Sequence, residues 1–421
     1  MNIPSQSIAV VTALVVLAGP VCAQQAQRVT LEEALALFAR NNLELRLARA
    51  EAAEAVGLAQ QSAAHPNPTL TASYEPLSNS AATYSESYFN LSQRLEWPAA
   101  RAARKQAGAQ TALSANARVA ADSARLALEV KRAYVEAAHA SGHVELLAHV
   151  TRVFREAEES ASERFGEGDI SRYELRRIRV ERARYEGALA QAELHAAETR
   201  RSLALQVSPE SESRELAPAA PLVGAPPALD EQRVTSGTLA ERPELLAARA
   251  ALEAARADAA LARGERIPDV TTTGGYKRQS DGLSGAYLGL SLPVPIWDRR
   301  RGAVEAADAR TSAAASRLAL TRRQIENDVR SALDAYRSLM RRAALFDEMQ
   351  SAAGEDLLEM AQVAYNEGEV ELLDLLDAAT ASRDARVLEA RLRADLWIGY
   401  FDLERAVGGF DRPSNERETG R

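Results

Sequence analysis

Shifted by 200 residues, this chain aligns with itself. Asn41–Pro68 falls on Glu241–Pro268, and within that span Leu45, Ala48, Arg49, Ala50 and Pro68 meet Leu245, Ala248, Arg249, Ala250 and Pro268. Trp97 meets Trp297, Glu167-Gly168 meets Glu367-Gly368, and Leu175 meets Leu375. A single insertion-free offset over most of 421 residues is a tandem duplication, so the two halves are expected to fold alike.

Proline placement predicts what each half is. No proline occurs between Pro98 and Pro209, or between Pro295 and Pro413. A proline inside a helix costs about 3 kcal/mol, so these gaps permit very long helices. The break inside each gap is a glycine turn, Gly166-Glu167-Gly168 and Asn366-Glu367-Gly368. Each gap therefore reads as a helical hairpin, with descending arms near 99–164 and 299–364 and returning arms near 170–206 and 370–407. Leu175, Arg182, Leu189, Ala196 and Leu203 recur every seven residues, with Ile178, Tyr185, Ala192 and Thr199 as the companion set. Small and medium residues at that spacing predict a narrow coiled-coil seam. Shorter helices are expected at 31–64 and 242–265. Composition agrees, because aromatics are only 5% and Ala, Leu, Glu and Arg dominate.

Between the helices lie strand pairs, at about 68–77 and 87–96, and at about 269–277 and 286–293. Each has roughly the 9–11 residues with which a tilted strand crosses a bilayer. Ala286, Leu288, Leu290 and Leu292 alternate with Tyr287, Gly289 and Ser291, and Phe89, Leu91 and Leu95 alternate with Asn90, Ser92 and Arg94. Tyr74, Tyr88, Trp97, Tyr276, Tyr287 and Trp297 gather at strand positions and ends, as an interfacial girdle would require. Four strands cannot close a barrel, for which about eight is the lower limit, and lipid tolerates no open edge. Such a chain must oligomerise to enter a membrane.

The expected organisation is a signal peptide at 1–23, a first repeat at 24–207 with its tip at 166–169, and a linker at 208–240. A second repeat at 241–408, with its tip at 366–369, and a polar tail at 409–421 complete it. The apolar run Ile8–Gly19 is too short to span a bilayer and leads into Val21-Cys22-Ala23, a small-residue cleavage pattern. Acylation of Cys22 would need Leu and small residues before it, which Gly19-Pro20-Val21 does not supply. With Cys22 the only cysteine, disulfide frameworks, Cys-based zinc sites and cysteine nucleophiles are excluded. A net charge of −8 leaves no footprint for nucleic acid. No nucleotide loop, hydrolase triad spacing or metal-hydrolase motif is present. An enzyme and a cofactor are therefore not expected.

The residues resemble those of the TolC-type outer-membrane efflux proteins over essentially the whole mature chain. The motifs are Val29-Thr30-Leu31-Glu32-Glu33-Ala34-Leu35, Pro66-Asn67-Pro68-Thr69-Leu70, Leu95-Glu96-Trp97-Pro98-Ala99-Ala100-Arg101, Leu292-Pro293-Val294-Pro295-Ile296-Trp297-Asp298-Arg299 and Gly368-Glu369-Val370-Glu371-Leu372-Leu373-Asp374-Leu375-Leu376-Asp377-Ala378. The outer-membrane subunits of cobalt–zinc–cadmium efflux systems are the nearest in kind, although they tend to carry Gly-Gly-Lys-Arg where this chain has Pro98-Ala99-Ala100-Arg101. The resemblance implies a mainly α fold with a transmembrane β-barrel. It would be a homotrimer, with a shared 12-stranded barrel in outer-membrane lipid and a periplasmic α-barrel of long coiled-coil hairpins. It implies an exit duct for an inner-membrane pump of the resistance–nodulation–division (RND) type and a periplasmic adaptor, exporting divalent heavy-metal cations, with multidrug efflux as the alternative. Type I secretion on the same fold, and a soluble periplasmic coiled-coil adaptor, are the competing readings.

From the same resemblance, Asp374 and Asp377 match the aspartate rings that close the periplasmic entrance, and Glu174 and Tyr365 match the bonding network around them. Val370 departs, since the best-known relative has a locking arginine there. Without the motif, the two aspartates read as a solvated helix start, where acids favour the dipole. Gly166, Glu167, Gly168, Asn366, Glu367 and Gly368 are the expected adaptor-docking tips, and Trp97 and Trp297 the expected membrane-interface aromatics. Separately, His139 and His143 are i,i+4 on a descending arm, with His195 level with His139 across the hairpin. On a helical barrel such histidines ordinarily face solvent; together they could also hold Zn²⁺.

Overall fold

The computed structural model describes residues 27–78, 83–207, 216–219, 224–227, 241–353 and 357–408. The expected signal peptide, most of the linker and the tail lie outside the described residues. The helices are α1 Leu31–Asn41, α2 Leu43–Ala63, α3 Pro98–Glu167, α4 Arg172–Val207, α5 Pro243–Gly264, α6 Arg301–Ala353, α7 Leu357–Asn366 and α8 Leu372–Val407. The strands are β1 Gln27–Val29, β2 Thr69–Ser78, β3 Thr83–Leu95, β4 Leu216–Pro218, β5 Val270–Gln279 and β6 Ser284–Ser291. With 70 residues, α3 is about 105 Å long at about 1.5 Å per residue.

The helix expected at 31–64 is two helices. Asn42 ends α1 with its backbone at φ −58°, ψ 126°, and its side chain accepts from Leu45 N–H at 2.8 Å to cap α2. Its amide also donates to the Gln206 carbonyl at 2.8 Å. The repeat reproduces this tie with a different residue, because Arg242 donates to the Ala406 carbonyl at 3.3 Å. Each short helix is thereby pinned to the end of its own returning arm. In the first returning arm, Leu175, Ile178, Tyr185, Ala192, Ala196 and Leu203 of the coiled-coil sets are buried. Near the tips, Phe154 stacks on Tyr185 at 4.8 Å between ring centroids, inside an apolar cluster that gathers Phe154, Ile178, Leu358 and Leu375 from four helices.

The two strand pairs merge into one antiparallel sheet ordered β2-β3-β5-β6. Ala72 opposes Phe89, Phe89 opposes Tyr276, and Tyr276 opposes Ala286. β3 begins four residues earlier than expected (87−83), because Tyr84, Ser85 and Glu86 still pair with β2. β6 stops at Ser291, ahead of Pro293 and Pro295, which have no N–H to donate. A second, two-stranded sheet pairs β1 with β4 in parallel, a short element inside the segment expected to be irregular.

Candidate functional site

The tips are built twice from the same parts. Gly168 and Gly368 take φ of 89° and 79°, a left-handed conformation that side chains resist. At the first tip Gly168 N–H donates to the Phe165 carbonyl and Asp169 N–H to that of Arg164. At the second, Gly368 N–H donates to the Tyr365 carbonyl and Glu369 N–H to that of Ala364. Both are Schellman closures in the same register, and Gly166, Glu167, Asn366 and Glu367 lie exposed beside them.

The returning helices start alike too. Ser171 N–H donates to the Glu174 carboxylate at 2.7 Å while Glu174 N–H donates to Ser171 Oγ at 3.2 Å. One repeat on, Glu371 N–H donates to Asp374 Oδ2 at 3.1 Å. Glu174 and Asp374 are thus counterparts, each bound to the start of its own helix. Asp377 differs. It sits on the exposed face of α8, opposite Leu375, Leu376 and Ala379, and makes no hydrogen bond or ion pair among the described residues.

Tyr365 is buried at the end of α7, and burial raises its phenol above the ordinary value, with Arg164 opposing and Glu174 adding to the rise. The Arg164 guanidinium lies 5.5 Å from the Tyr365 ring centroid and donates to the Tyr365 carbonyl at 3.2 Å. This ties one hairpin tip to the other. Sequence reading missed Arg164; the signal was its lack of a counterpart, since Ala364 occupies the matching position.

At the other end, the sheet separates its chemistry by face. Register puts Leu70, Ala72, Tyr74, Leu91, Phe89, Tyr276, Ala286, Leu288 and Leu290 on one face. The other carries Glu86, Tyr88, Asn90, Ser92, Thr273, Lys277 and Tyr287. Lys277 pairs with Glu86 at 2.8 Å, Gln279 donates to Glu86 at 2.7 Å, and Ser92 and Thr273 share a hydrogen bond at 2.9 Å. Tyr88 and Tyr287 were expected in the girdle. They instead belong to the polar face, where Tyr88 donates to Glu86 and Tyr287 to Asn90. Trp97 donates its indole N–H to the Pro268 carbonyl at 2.9 Å, whereas Trp297 is 93% exposed.

The histidines do not come together as a zinc site. Among the described residues no group of three or more His, Cys, Asp or Glu could hold a metal ion. Burial pushes His139 and His143 below the usual imidazole value. His139 faces Glu136, Arg391, His143 and Asp395, while His143 faces His195 and Arg383. His195 itself lies 3.9 Å from Glu198.

The family described as "Outer membrane efflux protein" matches residues 234–409. Over 390 residues the chain is 28% identical to the cobalt-zinc-cadmium resistance protein CzcC of Cupriavidus metallidurans, covering 90% of each. It is 24% identical over 337 residues to the outer membrane protein TolC of Vibrio cholerae, covering 76% of this chain and 74% of that protein. Among solved structures, the Campylobacter jejuni CmeC outer membrane channel superimposes with a TM-score of 0.75 at 17% identity, over 97% of this chain and 94% of that one. The open Neisseria gonorrhoeae MtrE outer membrane channel gives 0.71 at 22%, over 90% and 89%.

Proposed function

We propose that this chain, which belongs to the outer membrane efflux protein family, is the exit duct of a tripartite RND-type efflux system and passes divalent heavy-metal cations. It is an outer-membrane channel protein with a large periplasmic portion, and not an enzyme. The observation that carries the metal reading is the likeness to a metal-resistance protein over nine-tenths of both chains. The duct is a homotrimer, since four strands with an apolar and a polar face need further copies to close. Its tips, around Gly168 and Gly368, dock a periplasmic adaptor that links it to an inner-membrane pump. Asp374, Asp377, Glu174 and Tyr365 surround the periplasmic entrance, where a trimer gathers carboxylates that attract cations. Trp97 and Trp297 stand at the membrane interface.

Growth of a deletion strain across Co²⁺, Zn²⁺, Cd²⁺, Cu⁺ and drug gradients tests this. Sensitivity to the divalent metals, restored by the intact gene, is the expected result. Unchanged metal tolerance with new drug sensitivity would replace the metal reading by multidrug efflux.

A further inference from the structure

Charge on the four-stranded sheet is sorted by face, with one exception. Register puts Glu75, Glu86, Arg94 and Lys277 on the polar face. Among the described strand residues, Arg278 is the only charged side chain on the apolar face. It is exposed and makes no hydrogen bond or ion pair among the described residues. Its sequence neighbour Lys277 turns the other way and is held by Glu86 at 2.8 Å. The carboxylates at this end of the sheet are averted or occupied. Glu75 opposes Glu86 on the polar face, Glu86 takes Lys277 and Gln279, and Asp281 accepts the Leu283 N–H at 2.9 Å. Across the apolar face Tyr74 opposes Ser87, Ser87 opposes Arg278, and Arg278 opposes Ser284. The next row towards the helices is Ala72, Phe89, Tyr276 and Ala286. Hydrocarbon and aromatic rings thus give way, at one level, to hydroxyls and a single guanidinium. The hydroxyls of Ser87 and Ser284 make no hydrogen bond among the described residues.

We propose that Arg278, with Ser87 and Ser284 beside it, binds a lipid-borne phosphate, the sugar phosphate of the glycolipid of the outer leaflet. The inference rests on the reading that the apolar face meets outer-membrane lipid. Arg278 lies eight residues beyond Val270 (278−270), about 27 Å along the strand at about 3.4 Å per residue. A tilt of about 40° makes this about 21 Å of height, near the outer limit of an apolar band about 25 Å tall. The turns joining β2 to β3 and β5 to β6 lie at the end of the sheet away from the helices. Those helices form the periplasmic portion, so the Arg278 row stands at the outer leaflet. An arginine facing lipid is costly at the midplane and close to neutral at the interface, where an anionic headgroup is within reach. Its planar fork of donors matches phosphate oxygens, and it is more weakly hydrated than an ammonium. Serine hydroxyls both donate and accept, so they suit the remaining phosphate oxygens and the hydroxyls of the sugar that carries them.

Native mass spectrometry of full-length protein extracted from outer-membrane fractions tests the site by reading bound lipid. The probes are bisphosphorylated lipid A, the same lipid with its phosphates removed, dioleoylphosphatidylglycerol and inorganic phosphate. Wild-type protein should hold bisphosphorylated lipid A about tenfold more tightly than either other lipid, and inorganic phosphate should not displace it. Arg278→Gln should lose that preference, with Arg278→Lys between the two because it keeps the charge without the fork. Lys277→Gln, one residue along on the polar face, should keep it. Retention of lipid A by Arg278→Gln at the wild-type level would overturn the site. Displacement by inorganic phosphate would overturn it too, and equal binding of phosphatidylglycerol would overturn its assignment to the glycolipid. Wild-type protein that carries no lipid of any class would instead remove the lipid-facing reading on which the site rests.

Discussion

Two acids that look alike in the sequence have different standing in the fold. Asp374 is bound to the first turn of α8, as Glu174 is to that of α4, while Asp377 is uncommitted. Removing a helix cap costs about 1 kcal/mol. Asp374→Ala should therefore lower the unfolding free energy by about that amount. Asp377→Ala should change it by no more than about 0.5 kcal/mol yet reduce cation selectivity in planar-bilayer conductance. Equal effects of the two on stability would show that the cap is not what distinguishes them. The buried imidazoles give a pH dependence. His139 and His143 sit below the ordinary 6.5 because burial disfavours the charged ring. Around them, Glu136 and Asp395 favour charge at His139, Arg391 and His143 oppose it there, and His195 and Arg383 oppose it at His143. The unfolded chain therefore binds protons that the folded one does not, and stability falls as pH drops below about 6.5 until the folded-state values are reached. Thermal midpoints between pH 7.5 and 5.5 should decline, and His139→Gln with His143→Gln should flatten the decline over that window.

At the scale of elements, what was legible came from the duplication. Proline gaps and paired glycines located both hairpins, and period seven located the buried seam, because those signals depend only on residues near one another in sequence. Asn42 splits a helix whose apolar pattern runs on, and the reason is a carbonyl 164 residues away. Arg164 meets Tyr365 across 201 residues, and β1 meets β4 across a segment rich in proline; no local pattern encodes either. The sides taken by Tyr88 and Tyr287 follow from register, which composition near strand ends does not specify. The tips yield a prediction of their own. A Cβ on Gly168 meets no atom within 4 Å, and one on Gly368 comes no nearer than 3.8 Å to Arg164. Substitution there is resisted by backbone conformation rather than by space, at roughly 1–2 kcal/mol per residue. In helices this long, that strain reshapes the turn without unfolding the hairpin. Gly168→Val with Gly368→Val should thus abolish efflux while leaving trimer yield in the outer membrane unchanged; normal resistance in that strain would remove the tips from adaptor docking.

For the whole molecule, the decisive property is that one sheet presents two solvents with two surfaces. No helix of the described residues is long and apolar enough to cross a membrane, and the four strands of the sheet carry two unlike faces. Their apolar face, Leu70, Phe89, Leu91, Leu288 and Leu290 among it, is exposed and unsuited to water. Their other face holds the Glu86–Lys277 pair and the hydroxyls of Ser92 and Thr273, which suit a water-filled bore. Neighbouring residues of β3 sample both, and this separates membrane insertion from conduction in a single comparison. Leu91 opposes Leu70 and Gly274 on the apolar face, while Ser92 opposes Thr69 and Thr273 on the polar one. An arginine in the lipid-facing middle of a barrel strand costs about 2–4 kcal/mol, and one facing the lumen does not meet lipid. In the proposed trimer three copies would multiply the penalty, since each contributes the same strand. Leu91→Arg should therefore cut the yield of folded, heat-modifiable oligomer sharply. Ser92→Arg should assemble normally and instead lower conductance and weaken cation preference, because it adds positive charge to the bore. Equal assembly of the two variants would mean that the leucine face does not meet lipid.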